Sequence, residues 1–225
     1  MTRLYFVRHG QSLSNAGGPT MEHATIPLTP LGLAQADAVA HVLAEHLQGE
    51  PSRVLTSPFT RARDTAQRFC DKTGRQAEIT PLLHEFETID PALLHGMTGE
   101  QRRPIADAYW GRADPHERMG TQAETFAEFE GRVAAFMDEL ASLPDRSVMF
   151  GHGMWMGLMV WKLLGLSAND SQGMKAFRRF QLGLPIANCV VYVLESAGPG
   201  RWTWEVDEKA LRLVASVKLE TTQNP

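Results

Sequence analysis

The chain has 225 residues, 43% of them hydrophobic and 21% charged. This is the composition of a globular protein long enough to bury a core without a staple, and it excludes disordered and fibrous classes. With 22 Lys and Arg against 26 Asp and Glu the net charge is -4, which argues against a nucleic-acid coat or an anionic-membrane binder, so any anion site has to be local.

Leu4-Tyr5-Phe6-Val7 is a short apolar run that reads as a buried strand, and it ends at Arg8-His9-Gly10. Thr29-Pro30-Leu31-Gly32 opens a helix to about Leu47, with Leu31, Ala34, Ala38 and Val42 along one face. Arg53-Val54-Leu55-Thr56 is a second strand. Ser57-Pro58 reads as a helix start, a hydroxyl cap and then a proline whose missing N–H costs nothing. That helix carries Arg61, Ala62, Thr65, Ala66 and Phe69. Residues 86–120 are the least periodic stretch and read as a loop insertion over one end of the sheet. Thr121-Gln122-Ala123-Glu124 reads as a capping box, followed by Phe126, Phe129, Val133, Phe136, Met137 and Leu140 at helical spacing. Residues 147–150 form a strand that enters Gly151-His152-Gly153, and a helix runs over 154–164. Residues 188–195 and 202–206 read as late strands.

Strands alternating with helices, without a repeat or a linker, predict one α/β domain over 1–225. Its central sheet is expected to be mostly parallel, with helices on both faces. Ligands of open α/β sheets bind beyond the carboxyl ends of strands. Arg8-His9-Gly10, Ser57-Pro58 with Arg61, and Gly151-His152-Gly153 all hold that position, so one rim is expected to collect two histidines and two arginines. Cys70 and Cys189 form neither a disulfide framework nor a metal spacing, which favours a cytoplasmic address. The four apolar residues before Arg8 are too few for a signal peptide, and no apolar run reaches the roughly 20 residues that span a bilayer.

Arg8-His9-Gly10-Gln11-Ser12 with Asn15, Leu28-Thr29-Pro30-Leu31-Gly32-Leu33-Ala34-Gln35-Ala36, Ser57-Pro58-Phe59-Thr60-Arg61-Ala62 with Thr65-Ala66, Leu83-His84-Glu85, and Phe150-Gly151-His152-Gly153 occur in this order. In these five elements the chain resembles the histidine phosphatase, or phosphoglycerate-mutase-like, superfamily over roughly residues 4–160. The resemblance implies a phosphatase that hydrolyses a phosphomonoester through a phosphohistidine. His9 would be the nucleophile and Glu85 the acid, with Glu87 a nearby competitor. Arg8, Asn15, Arg61, His152 and Gly153 would hold the phosphate.

The chemistry fits these residue types. A transferring phosphoryl group needs positive charge spread over its oxygens, and arginine supplies a planar fork for it. Arg8, Arg61 and a protonated His152 would face a dianion with three positive charges. Nearby arginines disfavour a further positive charge and so keep His9 neutral. On its own, Glu85 reads as a solvated loop carboxylate, and only the ordered set of motifs makes it an acid. His84 reads as a loop residue, His41 and His46 as solvent-facing, and His95 and His116 as parts of the insertion. No metal-ligand spacing is present, so neither a metal nor another cofactor is expected. Arg63 reads as a helix-surface residue, and Met154, Trp155, Met156, Met159 and Trp161 as a packed helix.

Glycolytic mutases carry Tyr-Gly-x-Leu-x-Gly and Arg-Arg-Ser-Tyr elements. Here the acid is followed by Phe86-Glu87-Thr88-Ile89-Asp90, and Gln101-Arg102-Arg103-Pro104 has no Ser-Tyr after it. That favours a phosphatase acting on a phosphorylated small molecule, with no nucleic-acid or membrane partner. The alternatives are a phosphoglycerate-type mutase and a catalytically silent phosphate-binding protein. The Trp-Glu-Gly element of many family phosphatases is replaced by His95-Gly96-Met97-Thr98-Gly99-Glu100. Arg102, Arg103, Tyr109, Trp110 and Arg112 are the candidates for substrate specificity.

Overall fold

A computed structural model describes residues 2–198 and 200–218. In chain order the elements are β1 (Arg3–Arg8), α1 (Pro30–His46), β2 (Val54–Thr56), α2 (Thr60–Thr73) and β3 (Glu78–Ile79). These are followed by α3 (Gly99–Arg112), α4 (Phe126–Leu140), β4 (Ser147–Gly151), α5 (Gly153–Leu163) and α6 (Ser171–Gly183), then β5 (Val191–Ser196), β6 (Trp202–Val206) and α7 (Glu208–Ser216). The six strands form one sheet in the order β3-β2-β4-β1-β5-β6. The first four are mutually parallel, and β5 and β6 are antiparallel to their neighbours. The expected α/β architecture with a mostly parallel sheet is therefore present.

Strand alternation divides the core. Tyr5 and Val7 of β1, Val148 and Phe150 of β4, and Val191 and Val193 of β5 pack with α1, α2 and α7. Leu4 and Phe6, Met149, and Tyr192 and Leu194 point to the other face, against α4, α5 and α6. The four inner strands, β2, β4, β1 and β5, are buried on both faces and so read as continuous apolar runs, whereas the edge strands β3 and β6 do not. β1 and β4 are neighbours, yet the helix after β1 lies on one face and the helix after β4 on the other. Connections that leave adjacent strands for opposite faces open a crevice at their carboxyl ends.

Local details differ from the sequence reading. The capping box of α4 is Thr125 with Glu128, not Thr121 with Glu124. Thr121 and Gln122 instead bond the carboxylate of Asp90. α2 begins at Thr60, so Ser57-Pro58 lies outside it, and the Ser57 hydroxyl accepts from Phe59 N at 3.2 Å. The buried face of α1 is Ala36, Val39, Ala40, Val42 and Leu43, whereas Leu31, Ala34 and Ala38 are half-buried. The helix touches both the sheet and α2, and that rotates the apolar stripe from the expected line. The stretch 86–120 carries a single-turn helix at Pro91–Leu94 and the 14-residue α3, whose N-terminus has its own capping box of Thr98 and Gln101. β5 begins at Val191 rather than Asn188, because Cys189 takes a positive φ of 56°.

Gly10 and Gly32 are where the loop after β1 meets the first turn of α1. A Cβ on Gly32 would lie 2.0 Å from the Gln11 carbonyl oxygen, and one on Gly10 would lie 2.3 Å from the Gly32 oxygen. Only hydrogen fits between these backbones. Gly32→Ala is expected to destabilise the protein by about 1–3 kcal/mol, read as a lower urea midpoint. An unchanged midpoint would show that the loop tolerates displacement from α1.

Candidate active site

β1 delivers Arg8 and His9, the turn after β2 leads to Arg61 on α2, and β4 delivers His152 and the start of α5. The loop after β1 is fixed from two helices. The Thr29 hydroxyl caps α1 by accepting from Gly32 N at 3.0 Å and donates to the Gln11 side chain at 2.8 Å. Gln35, on the same helix, accepts from Gln11 N at 2.9 Å. From α2, the Thr65 hydroxyl accepts from Gly10 N at 3.1 Å and donates to the Arg61 carbonyl at 2.7 Å. The Leu-Thr and Ser-Pro motifs thus support the loop that carries the histidine.

His9 is buried, with 3% of its surface exposed. Its Nδ1 lies 2.7 Å from the Gly10 carbonyl oxygen, and Arg61 Nε donates to its Nε2 at 3.2 Å. Only a neutral ring with its proton on Nδ1 satisfies both contacts, which leaves a lone pair on Nε2. Burial first, then Arg61 and Arg8, hold His9 well below its ordinary pKa of 6.5.

His152 is fully buried, and its ring stands 5.1 Å from that of His9. Its Nε2 meets the Ser57 hydroxyl at 2.8 Å, while its Nδ1 is buried without a partner. Burial, Arg61, His9 and Arg8 push its pKa well down too. In the absence of an anion the protein's own field thus favours neutral His152, and the protonated form expected opposite a phosphate dianion depends on the negative charge that such a group would add.

Arg61 is 5% exposed and donates through Nη1 to the His23 carbonyl at 2.7 Å. Burial lowers its pKa to about 10, so it stays charged at neutral pH. Arg8 bonds the Ile186 carbonyl through Nη1, and its Nε is buried without a partner. Neither arginine pairs with a carboxylate among the described residues. A Cβ on Gly153 would lie 3.0 Å from Arg8 Nε, so the guanidinium lies directly against the start of α5. Asn15 is exposed. Its carbonyl oxygen accepts from Asn188 at 2.9 Å and from Ser12 N at 3.3 Å, leaving its NH2 group as the donor.

Glu85 sits at the N-terminus of α5. Its carboxylate accepts from Met154 N at 3.0 Å, Trp155 N at 3.1 Å and its own neighbour Phe86 N at 3.0 Å. These contacts satisfy first-turn N–H groups of α5 that have no partner within the helix. The segment before it is clamped from both sides. Arg132 of α4, paired with Glu124 at 2.7 Å, donates to the carbonyls of Leu82 at 3.1 Å and His84 at 2.7 Å. Trp155 Nε1 donates to Leu82 O at 2.8 Å. Glu87 is half-buried, and burial and Glu124 raise its pKa.

Several candidates separate from the site. Tyr109 and Trp110 are core residues, packed with Phe86 and Phe126, because the last turns of α3 face α4 and α6. Arg112 is exposed and pairs with Glu117 at 2.5 Å, and Arg103 is exposed. Arg102 reaches back to the loop near Asn15, donating to Gly18 O, Thr20 Oγ1 and Met97 O. Conversely, His23, Arg132 and Asn188 reach the site without having been singled out. Asn188 ties the His9 carbonyl, at 3.2 Å, to Asn15. Arg132 and Asn188 lie in segments read as a helix and a strand but form no part of their apolar patterns, and His23 lies outside any periodic segment. Among the described residues there is no group of three His, Cys, Asp or Glu side chains suited to a metal ion, and no helix long and apolar enough to cross a membrane.

The sequence profile of the histidine phosphatase superfamily (branch 1) matches residues 4–206. The chain is 30% identical over 168 residues to the adenosylcobalamin/alpha-ribazole phosphatase of Salmonella typhi, covering 74% of this chain and 81% of the relative. It is 26% identical over 183 residues to a probable phosphoglycerate mutase of Yersinia pestis (strain Pestoides F), covering 78% and 80%. Among solved structures, a putative alpha-ribazole-5'-P phosphatase from Escherichia coli superposes with a TM-score of 0.71 at 24% identity, covering 91% of this chain and 95% of that one. A mycobacterial glucosyl-3-phosphoglycerate phosphatase superposes with a TM-score of 0.68 at 24% identity, covering 92% and 97%. These two structures match the fold.

The electrostatics predict the ionisation of the site. In an NMR titration the His9 ring is expected to stay neutral as the pH falls through 6.5 and to take its proton only well below that. Arg61→Ala removes one source of repulsion and is expected to raise the His9 pKa. A ring that titrates at or above 6.5 in the unmodified protein would contradict the field described here.

Proposed function

The chain belongs to the histidine phosphatase superfamily, and on that premise we propose that it hydrolyses phosphomonoesters through a phosphohistidine formed on His9. The observation that carries the reading is a buried imidazole, pressed toward its neutral form by burial, Arg61 and Arg8, whose Nε2 lone pair accepts from Arg61 Nε. The substrate dianion bridges Arg8 and Arg61 and accepts from the Asn15 amide, and its charge favours the His152 cation. His9 Nε2 attacks phosphorus, the bond from phosphorus to the alcohol oxygen breaks, and Glu85 protonates the departing oxygen. In the second step water attacks phosphorus, Glu85 takes its proton, and the P–N bond breaks. Phosphate leaves and His9 returns to its neutral form.

His9 is held by its ring and main chain at a strand end, not in either apolar cluster. His9→Ala is therefore expected to abolish turnover and covalent labelling while leaving the urea midpoint nearly unchanged. The label on the unmodified enzyme should be destroyed by acid and survive alkali, as a phosphoramidate does. An alkali-labile label that persists in His9→Ala would move the nucleophile to another residue.

Arg61→Ala removes a preorganised donor and is expected to lower the rate by about 10²–10³, with Lys restoring only part because it lacks the fork. Glu85→Gln should slow alkyl phosphates much more than para-nitrophenyl phosphate, whose leaving group hardly needs a proton. Equal losses on both substrates would transfer the acid role to Glu87 or His152.

A further inference from the structure

Next to the phosphate clamp is a cavity of about 160 Å³. It adjoins the clamp through two residues that neighbour clamp side chains. Ser14, on its rim, precedes Asn15, and His23, another wall residue, gives its carbonyl to Arg61. Most of the remaining lining is apolar: Pro19, Met21, Ile26, Ile89, Leu94 and Ala106.

Apart from the Thr88 hydroxyl, the polar groups in the wall are largely spent on the protein itself. The His23 ring meets the Ile89 carbonyl at 3.1 Å, and burial lowers its pKa and so favours the uncharged ring. The Thr20 hydroxyl donates to Met97 O at 3.0 Å. The Arg102 guanidinium is occupied by Gly18 O, Thr20 Oγ1 and Met97 O, with Ser14 Oγ at 3.5 Å. A leaving group carrying several hydroxyls would give up its water here and find few replacements, which is costly for each hydroxyl. An apolar ring gives up nothing of that kind. Cavities of roughly 150 Å³ with apolar walls accept a single benzene ring.

We propose that this cavity receives the leaving group, and that the preferred substrates are phosphomonoesters of alcohols bearing one apolar six-membered ring rather than sugar or polyol phosphates. The proposal rests on the phosphohistidine reading, since only that reading places an ester oxygen beside Arg61.

The test compares benzyl phosphate with glucose 6-phosphate and methyl phosphate. All three release an alkoxide, so all three need a proton from the acid. Burial of the ring should give benzyl phosphate a kcat/KM about tenfold to hundredfold above glucose 6-phosphate. Ala106→Phe fills the cavity from α3 and should remove most of that advantage, while the rate on methyl phosphate and inhibition by vanadate stay within about twofold. Ala106→Leu is the milder variant if Phe perturbs folding, and vanadate inhibition reports an intact clamp in both. Equal kcat/KM for the benzyl and glucose esters would overturn the proposal and leave the phosphatase reading standing. So would a loss in both Ala106 variants that falls equally on all three esters. Release of phosphate from none of the three would overturn both.

Discussion

The site depends on positive charge that the protein carries into a confined rim without a carboxylate in direct contact, Glu85 acting on both arginines from farther away. Arg8 and Arg61 are held by main-chain carbonyls, of Ile186 and His23, where a structural arginine would have a carboxylate. Buried charge without a partner costs several kcal/mol, so such an arrangement persists only where the surroundings force it. The same field acts on both histidines. It presses His9 and His152 toward their neutral forms, so that His9 keeps an Nε2 lone pair, which here accepts from Arg61. One cause thus makes a nucleophile and prepares a place for an anion.

Holding that charge in place requires a rigid loop, and the fold provides it from several directions. Thr29 and Gln35 of α1 and Thr65 of α2 bond the backbone of residues 10 and 11, and Gly32 lets α1 approach it. β1 is a central strand, bonded to β4 on one side and β5 on the other, so its end cannot shift independently of the sheet. The acid candidate is anchored differently. Glu85 caps α5, the helix that begins beside His152 and against which Arg8 packs. A single helix start therefore relates the carboxylate, one histidine and one arginine. Arg132 and Glu124 hold the chain before Glu85 from the other side, which links α4 to the same geometry.

Much of this was legible in the sequence because it is local or periodic. Buried parallel strands have to be apolar throughout, so β1, β2 and β4 stand out, and the residues directly after them fall at the carboxyl edge. Thr65 lies one helical turn from Arg61, so their common face follows from spacing. Helix starts were less secure. A Thr-x-x-Glu pattern occurs twice within eight residues, at Thr121 and Thr125, and only the docking of Thr121 on Asp90 selects the second. Aromatic and charged residues in 102–112 looked alike as surface contacts. The orientation of α3 sends Tyr109 and Trp110 into the core and leaves Arg112 outside.

By itself the sequence determined the α/β class, the three strand ends that meet at one rim, and the residue types able to hold a phosphoryl group, because each follows from short-range pattern. Tertiary structure alone decided the rest. It sets the tautomer of His9, favours the neutral form of His152, brings Asn188 to Asn15 from 173 residues away, and leaves a cavity between the loop after β1 and α3. Those outcomes depend on burial and on contacts between segments distant in the chain, and neither has a periodicity that a linear reading can detect.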